Sequence, residues 1–173
     1  MCTKSEYRAK MKELRKNASL PSPCERFFEA DWTEKHTFFV YRSIASEADT
    51  SALIARLKGM GKTVLTPKVE NGELFAVLDE GEERKGAFGI PERIAPPYEG
   101  GIDVVLLPLL AVDKRGVRLG YGGGYYDRFL KNCSAERIGY CYSFQVVEEL
   151  PFEAHDERVH RVCTEEGWIP IKG

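Results

Sequence analysis

No stretch of this sequence is apolar for long enough to cross a bilayer as a helix, and the chain is charged from Lys4 onward with no signal-peptide core. Cysteine is sparse: Cys2, Cys24, Cys133, Cys141 and Cys163 make an odd number at wide spacings, without a CxxC. A disulfide framework and a zinc ribbon are both disfavoured, and a reducing, cytoplasmic compartment is expected. Histidine is rarer still, with three in all. HExxH is missing, and neither His155 nor His160 belongs to a metal-spaced pair, so each reads as a loop or edge-strand histidine. Positive charge is not in excess. The net charge is -2, which gives no support for nucleic acid or an anionic membrane as partner. Both common nucleotide fingerprints fail as well. Gly124 is followed by Tyr125 rather than by Lys-Ser/Thr, and the dinucleotide pattern begun at Gly120 would need glycine or alanine at Tyr125. No internal repeat is visible.

What is present is a chain of 173 residues, 43% hydrophobic and 30% charged, the size and balance of one soluble domain spanning 1–173. Its centre of gravity is residues 103–130. Val104-Val105-Leu106-Leu107 has no polar alternation and reads as a strand buried on both faces. Asp113-Lys114-Arg115-Gly116 reads as a turn. Five of the sixteen glycines then fall between Gly116 and Gly124. Tyr126, Phe129 and Leu130 follow at the spacing of a short helix stripe. Strand, glycine loop and helix together expose backbone N–H groups to an anion, above all phosphate. A flexible surface turn is the plain alternative. Against it stand Arg118, which can fork onto phosphate oxygens, and Asp127, a hard oxygen ligand for Mg²⁺.

The rest of the chain alternates helix and strand. Thr3 and Glu6 form a capping box for a first helix, with Tyr7, Met11 and Leu14 toward the core and Lys4, Arg8 and Arg15 on another face. Ser22, Pro23 and Glu25 predict a second helix running to about Lys35. Residues 37–41 are aromatic and β-branched, a strand, followed by a loop and a helix N-cap at Asp49. Leu53, Ile54 and Leu57 are that helix's stripe, and Gly59 and Gly61 end it. Residues 62–66 predict a strand closed by Pro67, and Asn71-Gly72 a hairpin into residues 74–78. Residues 79–85 and 91–101 read as long exposed loop. Residues 137–142 predict a strand and 144–150 a short helix stopped by Pro151. This alternation implies an α/β fold: a largely parallel sheet flanked by helices, Rossmann-like and three-layered, with an antiparallel hairpin. Loops after strands are where such folds bind ligands, which singles out Glu47; its plain reading is a solvated loop acid.

Leu107-Pro108, Ala111, Asp113, Gly116 and the unbroken Arg118-Leu119-Gly120-Tyr121-Gly122-Gly123-Gly124-Tyr125-Tyr126-Asp127-Arg128 resemble the signature of the 5-formyltetrahydrofolate cyclo-ligase family, also called methenyltetrahydrofolate synthetase. Weaker matches extend across nearly the whole chain. They are the Lys4/Arg8 pair, residues 47–50, Lys68 after its proline, and the Pro-x-x-x-His-Asp... Thr-Glu ending. The resemblance implies ATP-dependent cyclisation of 5-formyltetrahydrofolate to 5,10-methenyltetrahydrofolate, with release of ADP and phosphate. It implies a nucleotide site of Lys4, Arg8, Arg118, Leu119, Gly120, Tyr121, Gly122, Gly123, Gly124, Tyr125 and Tyr126, with Arg118 and Tyr125 nearest the chemistry. It implies folate contacts at Arg42, Glu47 and Lys68, and Mg²⁺ held by Asp127 and Asp156. The family often carries Asp where this chain has His160, which bears on the metal end of the site. Two rival classes are a non-catalytic folate- or nucleotide-binding relative and a sugar-phosphate isomerase or transferase of similar shape. Turnover separates them.

Overall fold

The computed structural model describes residues 2–172. Its spine is β6 (Val104–Leu107), the predicted apolar run, and all four side chains are fully buried. Val104 and Leu106 face one layer, and Val105 and Leu107 the other. Each such side chain contributes about 1.5–3 kcal/mol by leaving water. Around β6 lie β1 (Thr37–Val40), β2 (Thr63–Glu70), β3 (Glu73–Leu78), β9 (Glu136–Tyr140), β11 (Arg161–Thr164) and β12 (Gly167–Pro170). They make a seven-stranded sheet in the order β12-β11-β9-β6-β1-β2-β3. The pairings from β11 to β2 are parallel, and the edge strands β12 and β3 run antiparallel. The expected α/β architecture and its hairpin are therefore present. Asn71 and Gly72 turn the hairpin with φ of 51° and 75°.

Two helices, α2 (Cys24–Phe27) and α3 (Ser51–Gly59), cover one face through Cys24, Phe27, Leu53 and Leu57. On the other face α4 (Tyr125–Leu130) brings Leu130 against Phe39 and Val105. A third core is separate. There α1 (Lys4–Asn17) packs Met11 on Leu110, Ala111, Val117 and Leu119. Those residues lie in or next to a small sheet of β7 (Ala111–Asp113), β8 (Arg118–Leu119) and β10 (Val146–Val147). Among the described residues no helix is long and apolar enough to cross a membrane.

Several local expectations are corrected by tertiary contacts. The Thr3/Glu6 capping box forms, but Leu14 is 43% exposed while Arg15 is 7% exposed. The second helix stops at Phe27 because Trp32 folds back, stacks on Phe27 at 4.6 Å and donates its indole N–H to the Phe27 carbonyl. Ser22 accepts from the Cys24 N–H instead of closing a box with Glu25. The helix at 51 is entered from Thr50, with Asp49 accepting from the Ser51 N–H. Pro67 does not end β2, which runs to Glu70 because the stretch from Leu65 pairs with β3. The helix expected at 144–150 is a single turn, Ser143–Gln145, followed by β10. Gln145 is fixed there by donating to the Leu109 and Leu110 carbonyls.

The stretch 79–101 is not simply loop. β4 (Glu83–Lys85) and β5 (Pro91–Arg93) pair antiparallel, and Asp79 at their root is 3% exposed. Arg42, Arg93 and Lys58 all converge on its carboxylate, and Thr66 donates to it. Burial alone would push the Asp79 carboxyl up; hydrogen bonds from Arg93, Lys58 and Arg42 overcome it and hold the group well below the ordinary carboxylate range. A depressed folded-state pKa gives stability that is present above the unfolded value, about 3.9, and lost as pH falls. Acid titration followed by circular dichroism should therefore show stability falling below about pH 4. Asp79→Asn should be less stable at pH 7 and should show a flatter acid limb; an unchanged limb would remove Asp79 as the source.

Candidate functional site

The glycine loop joins β8 to α4 and stands on the small sheet that α1 also packs against. Gly122 and Gly124 have φ of 104° and 71°, conformations that admit glycine readily and other residues at a cost. None of the N–H groups of residues 121–124 donates to a protein acceptor among the described residues. A row of unpaired donors leading into a helix N-terminus is an anion site.

α1 supplies cations to this loop. Arg8 Nε donates to the Gly120 carbonyl at 3.0 Å. No carboxylate lies within ion-pair distance of Arg8 among the described residues, so its remaining donors are free for phosphate oxygens. Lys4 is committed to Asp156 at 2.9 Å and Glu153 at 3.1 Å. Burial alone would lower the ammonium's pKa, and these two acids outweigh it and raise it. The same pairing counts for Asp156, which burial would raise and Lys4 draws below its usual range.

Arg118 is placed differently from the sequence expectation of an open phosphate ligand. It is 5% exposed in its side chain, lies under the loop and donates to the Pro108 carbonyl at 2.9 Å. Asp127 is its carboxylate partner at 3.5 Å, and its charge sits over the Tyr126 ring at 5.8 Å. Burial draws the Arg118 guanidinium down from its ordinary value, against the pull of Asp127. Its Nε is buried without a partner among the described residues. Asp127 Oδ1 also accepts from the Glu157 N–H at 3.1 Å, which brings the segment carrying Asp156 against α4. Lys4, Arg8, Arg118, Asp127, Asp156 and the loop glycines are thus gathered into one surface. Leu119 is buried in the core beneath.

The second part of the site lies at the end of β1. Glu47 receives the Tyr121 hydroxyl on one carboxylate oxygen at 2.7 Å and the Ile44 N–H on the other at 2.7 Å. Arg15 donates to the Tyr121 oxygen at 2.6 Å and to Ser46 at 3.0 Å. Burial pushes the Glu47 carboxyl up, partly opposed by those hydrogen bonds and by Arg15. Glu47, Arg15 and Ser46 line an open groove of about 760 Å³ together with Lys12, Lys16 and Tyr142. The sequence reading placed Arg15 only on a basic helix face. Nothing local in the sequence signals that it meets Tyr121.

Tyr125 faces the other way. Its ring is flanked by Arg128 at 5.1 Å and meets Phe88 edge-on at 6.0 Å. Phe88 is 73% exposed and has φ of 60°, a bulky apolar residue held in a left-handed conformation beside the loop. Sequence reasoning passed over it because it sits in a glycine- and charge-rich segment without periodicity. Arg128 also donates to the carbonyls of Gly123 and Gly72, so the hairpin tip abuts the loop. Tyr125, Arg128, Leu74, Phe75 and Phe129 line a second groove of about 490 Å³. Among the described residues no hydrogen bond joins Arg42 or Lys68 to Glu47. Arg42 belongs to the Asp79 cluster, and Lys68 pairs with Glu70 and donates to the Ala95 carbonyl. His160 Nδ1 accepts from the Arg137 N–H at 2.9 Å, a structural tie beside the β9–β11 pairing.

Among the described residues no cluster of three or more His, Cys, Asp or Glu side chains forms a metal cage. Mg²⁺ seldom uses one; it takes one or two carboxylates and completes its shell with phosphate and water. Asp127 fits that role, since its second carboxylate oxygen has no protein partner among the described residues. Asp156 fits less well while Lys4 holds it.

A family model described as the 5-formyltetrahydrofolate cyclo-ligase family matches residues 2–165. A 5-formyltetrahydrofolate cyclo-ligase of Mycolicibacterium smegmatis is 36% identical over 141 residues, covering 74% of this chain and 73% of the relative. The protein of that name from Escherichia coli K12 is 34% identical over 142 residues, 75% of this chain and 78% of its own. The solution structure of an Aquifex aeolicus 5,10-methenyltetrahydrofolate synthetase superposes with a TM-score of 0.81 at 32% identity, over 98% of this chain and 93% of that one.

Proposed function

The chain belongs to the 5-formyltetrahydrofolate cyclo-ligase family, and we propose that residues 1–173 act as one catalytic unit that cyclises 5-formyltetrahydrofolate to 5,10-methenyltetrahydrofolate at the expense of ATP. The observation that carries the reading is the row of N–H groups over residues 121–124 without a protein acceptor among the described residues, beside the Arg8 guanidinium, which is seated on the Gly120 carbonyl and has no carboxylate partner among those residues. It is a cradle for phosphate.

An amide-like formyl oxygen is a poor leaving group. Transfer of the γ-phosphoryl group to it makes it a good one; the second folate nitrogen then attacks the formyl carbon, and phosphate departs with the oxygen. Phosphoryl transfer asks the protein for alignment and charge neutralisation rather than for a covalent nucleophile. The loop N–H groups and Arg8 hold the phosphates. Lys4 adds a second cation when phosphate competes with Asp156 and Glu153 for it. Arg118, buried beneath, contributes its charge at a short distance in a medium that screens it little and keeps Asp127 oriented. Magnesium, when bound, neutralises phosphate charge, and Asp127 is the carboxylate positioned to hold it. Tyr125 and Phe88 offer aromatic surface to the flat pterin ring. Glu47 meets the polar edge of the folate. His160 does not argue for a binding-only relative, since its ring serves the backbone of Arg137. Five free thiols support a reducing, cytoplasmic setting.

Mixed with Mg·ATP and 5-formyltetrahydrofolate, the protein should yield 5,10-methenyltetrahydrofolate and one ADP for each product formed. ADP release measured with and without the folate decides it. Product formed equally well without ATP, or ADP released equally well without folate, would sink the assignment.

A further inference from the structure

The contact between Tyr121 and Glu47 joins two parts of the site that the reaction uses for different substrates. Tyr121 belongs to the glycine loop, whose N–H groups have no protein acceptor among the described residues and are read above as the phosphate cradle. Glu47 belongs to the connection between β1 and α3, two residues after Ala45, which is held at φ of 47°. A non-glycine residue in that region stores strain where the neighbouring structure over-determines it. Arg15 from the last turn of α1 reaches the same point. It has no carboxylate within ion-pair distance among the described residues, and its charge reaches Glu47 through the Tyr121 hydroxyl, which accepts from Arg15 and donates to Glu47. Hydrogen bonds in such a chain polarise and strengthen one another. Tyr121 is 44% exposed and belongs to none of the apolar cores, so the two hydrogen bonds of its hydroxyl, with Arg15 over the ring, fix the loop to this point.

We propose that Tyr121 is a positioning residue whose hydroxyl ties the nucleotide loop to the Glu47 carboxylate, so that ordering of the loop on phosphate and presentation of Glu47 to the folate become one event. This rests on the functional reading above. Its consequence is energetic coupling: nucleotide bound first should tighten folate binding, and by linkage folate should tighten nucleotide binding by the same factor. The charged and titratable groups facing Glu47 are Arg15 of α1, Tyr121 of the loop, Tyr41 after β1 and Tyr126 of α4, and Lys12, Lys16, Asp49 and Tyr142 line the same groove. Only the Tyr121 hydroxyl is removed in Tyr121→Phe, which keeps the ring that Arg15 overlies at 5.6 Å.

Two measurements test the proposal. In the unliganded protein, the carboxyl carbon of Glu47, followed by NMR, should titrate at higher pH in Tyr121→Phe than in wild type, since a donor to the charged form has gone. An unmoved titration would overturn the tie. In calorimetry, a saturating Mg complex of a non-hydrolysable ATP analogue should tighten 5-formyltetrahydrofolate binding to wild type about 5- to 20-fold, and to Tyr121→Phe less than about twofold. An equal gain in both proteins, or none in wild type, would overturn the coupling. A wild type that bound no 5-formyltetrahydrofolate would overturn the substrate reading, and the carbon titration would then decide the Tyr121–Glu47 tie by itself.

Discussion

Mg·ATP raises the unfolding temperature of the wild-type protein and leaves that of Gly122→Val almost unmoved: this is the expected result of a thermal shift experiment on the two proteins. Gly122 has φ of 104°, and a Cβ placed there would stand 3.6 Å from the Arg8 guanidinium carbon. Space alone would admit a methyl group. The backbone would not, because a β-branched residue resists positive φ and has to drag the loop into another path. The N–H groups of residues 121–124 then no longer converge, and the Gly120 carbonyl that seats Arg8 shifts with them. For the wild type, a nucleotide at a hundredfold excess over its dissociation constant stabilises the fold by roughly 2.7 kcal/mol. In a chain of this size each kcal/mol moves the midpoint by about 2–4 °C. The variant's unliganded stability should drop by about 1–3 kcal/mol, the cost of holding an unsuitable residue at strained φ. Gly123→Val is the informative companion. Gly123 has no positive φ, and its added Cβ would meet the Tyr125 ring at 2.8 Å, so that variant acts by displacing Tyr125 rather than by straining the loop. If Gly122→Val kept the full nucleotide-dependent shift, the loop would not be the phosphate site.

The second large effect is expected at Asp127. Asp127→Asn should lower turnover by on the order of 10²-fold, because the carboxylate that would hold the metal against the phosphates becomes a neutral amide. From sequence alone, the variant is expected to fold as well as wild type. The structure corrects that expectation, because Asp127 is the ion-pair partner of Arg118, which is almost fully buried. Asparagine still accepts the Glu157 N–H but leaves a buried guanidinium without its nearest anion. A loss of about 1–3 kcal/mol should accompany the loss of turnover. Arg118→Met/Asp127→Asn separates the two roles, since removing both charges should restore much of the stability and none of the activity. Normal turnover in Asp127→Asn with a lowered melting temperature would leave Asp127 a purely structural acid.

Much of the architecture was legible beforehand where the signal is local. The Thr3/Glu6 capping box, the Val104–Leu107 strand and the Asn71-Gly72 turn each follow from a few adjacent residues, and each is found where expected. The glycine loop was legible for the same reason, since five glycines fall within nine positions, and the loop is found between β8 and α4. Its family likeness added the reaction. The errors fall where a distant partner outbids local preference. Trp32 ended the second helix by taking the Phe27 carbonyl, Gln145 held a strand-bound turn where a helix was expected, and β3 carried β2 past its proline.

The sequence by itself determined the class of fold, the place of the glycine loop and the row of cations on the first helix, because hydrophobic period, turn chemistry and residue type are properties of neighbouring positions. Only the tertiary structure decided which of those charges are free. Arg8 is open to a ligand while Lys4 is neutralised by Asp156, and Arg118 lies beneath the loop. Arg42 and Lys68 serve the hairpins, and Arg15 with Tyr121 holds Glu47. A charge's role depends on its burial and its partners, and both are set by segments far apart in the chain; Arg15 and Tyr121 stand 106 positions apart and meet at 2.6 Å.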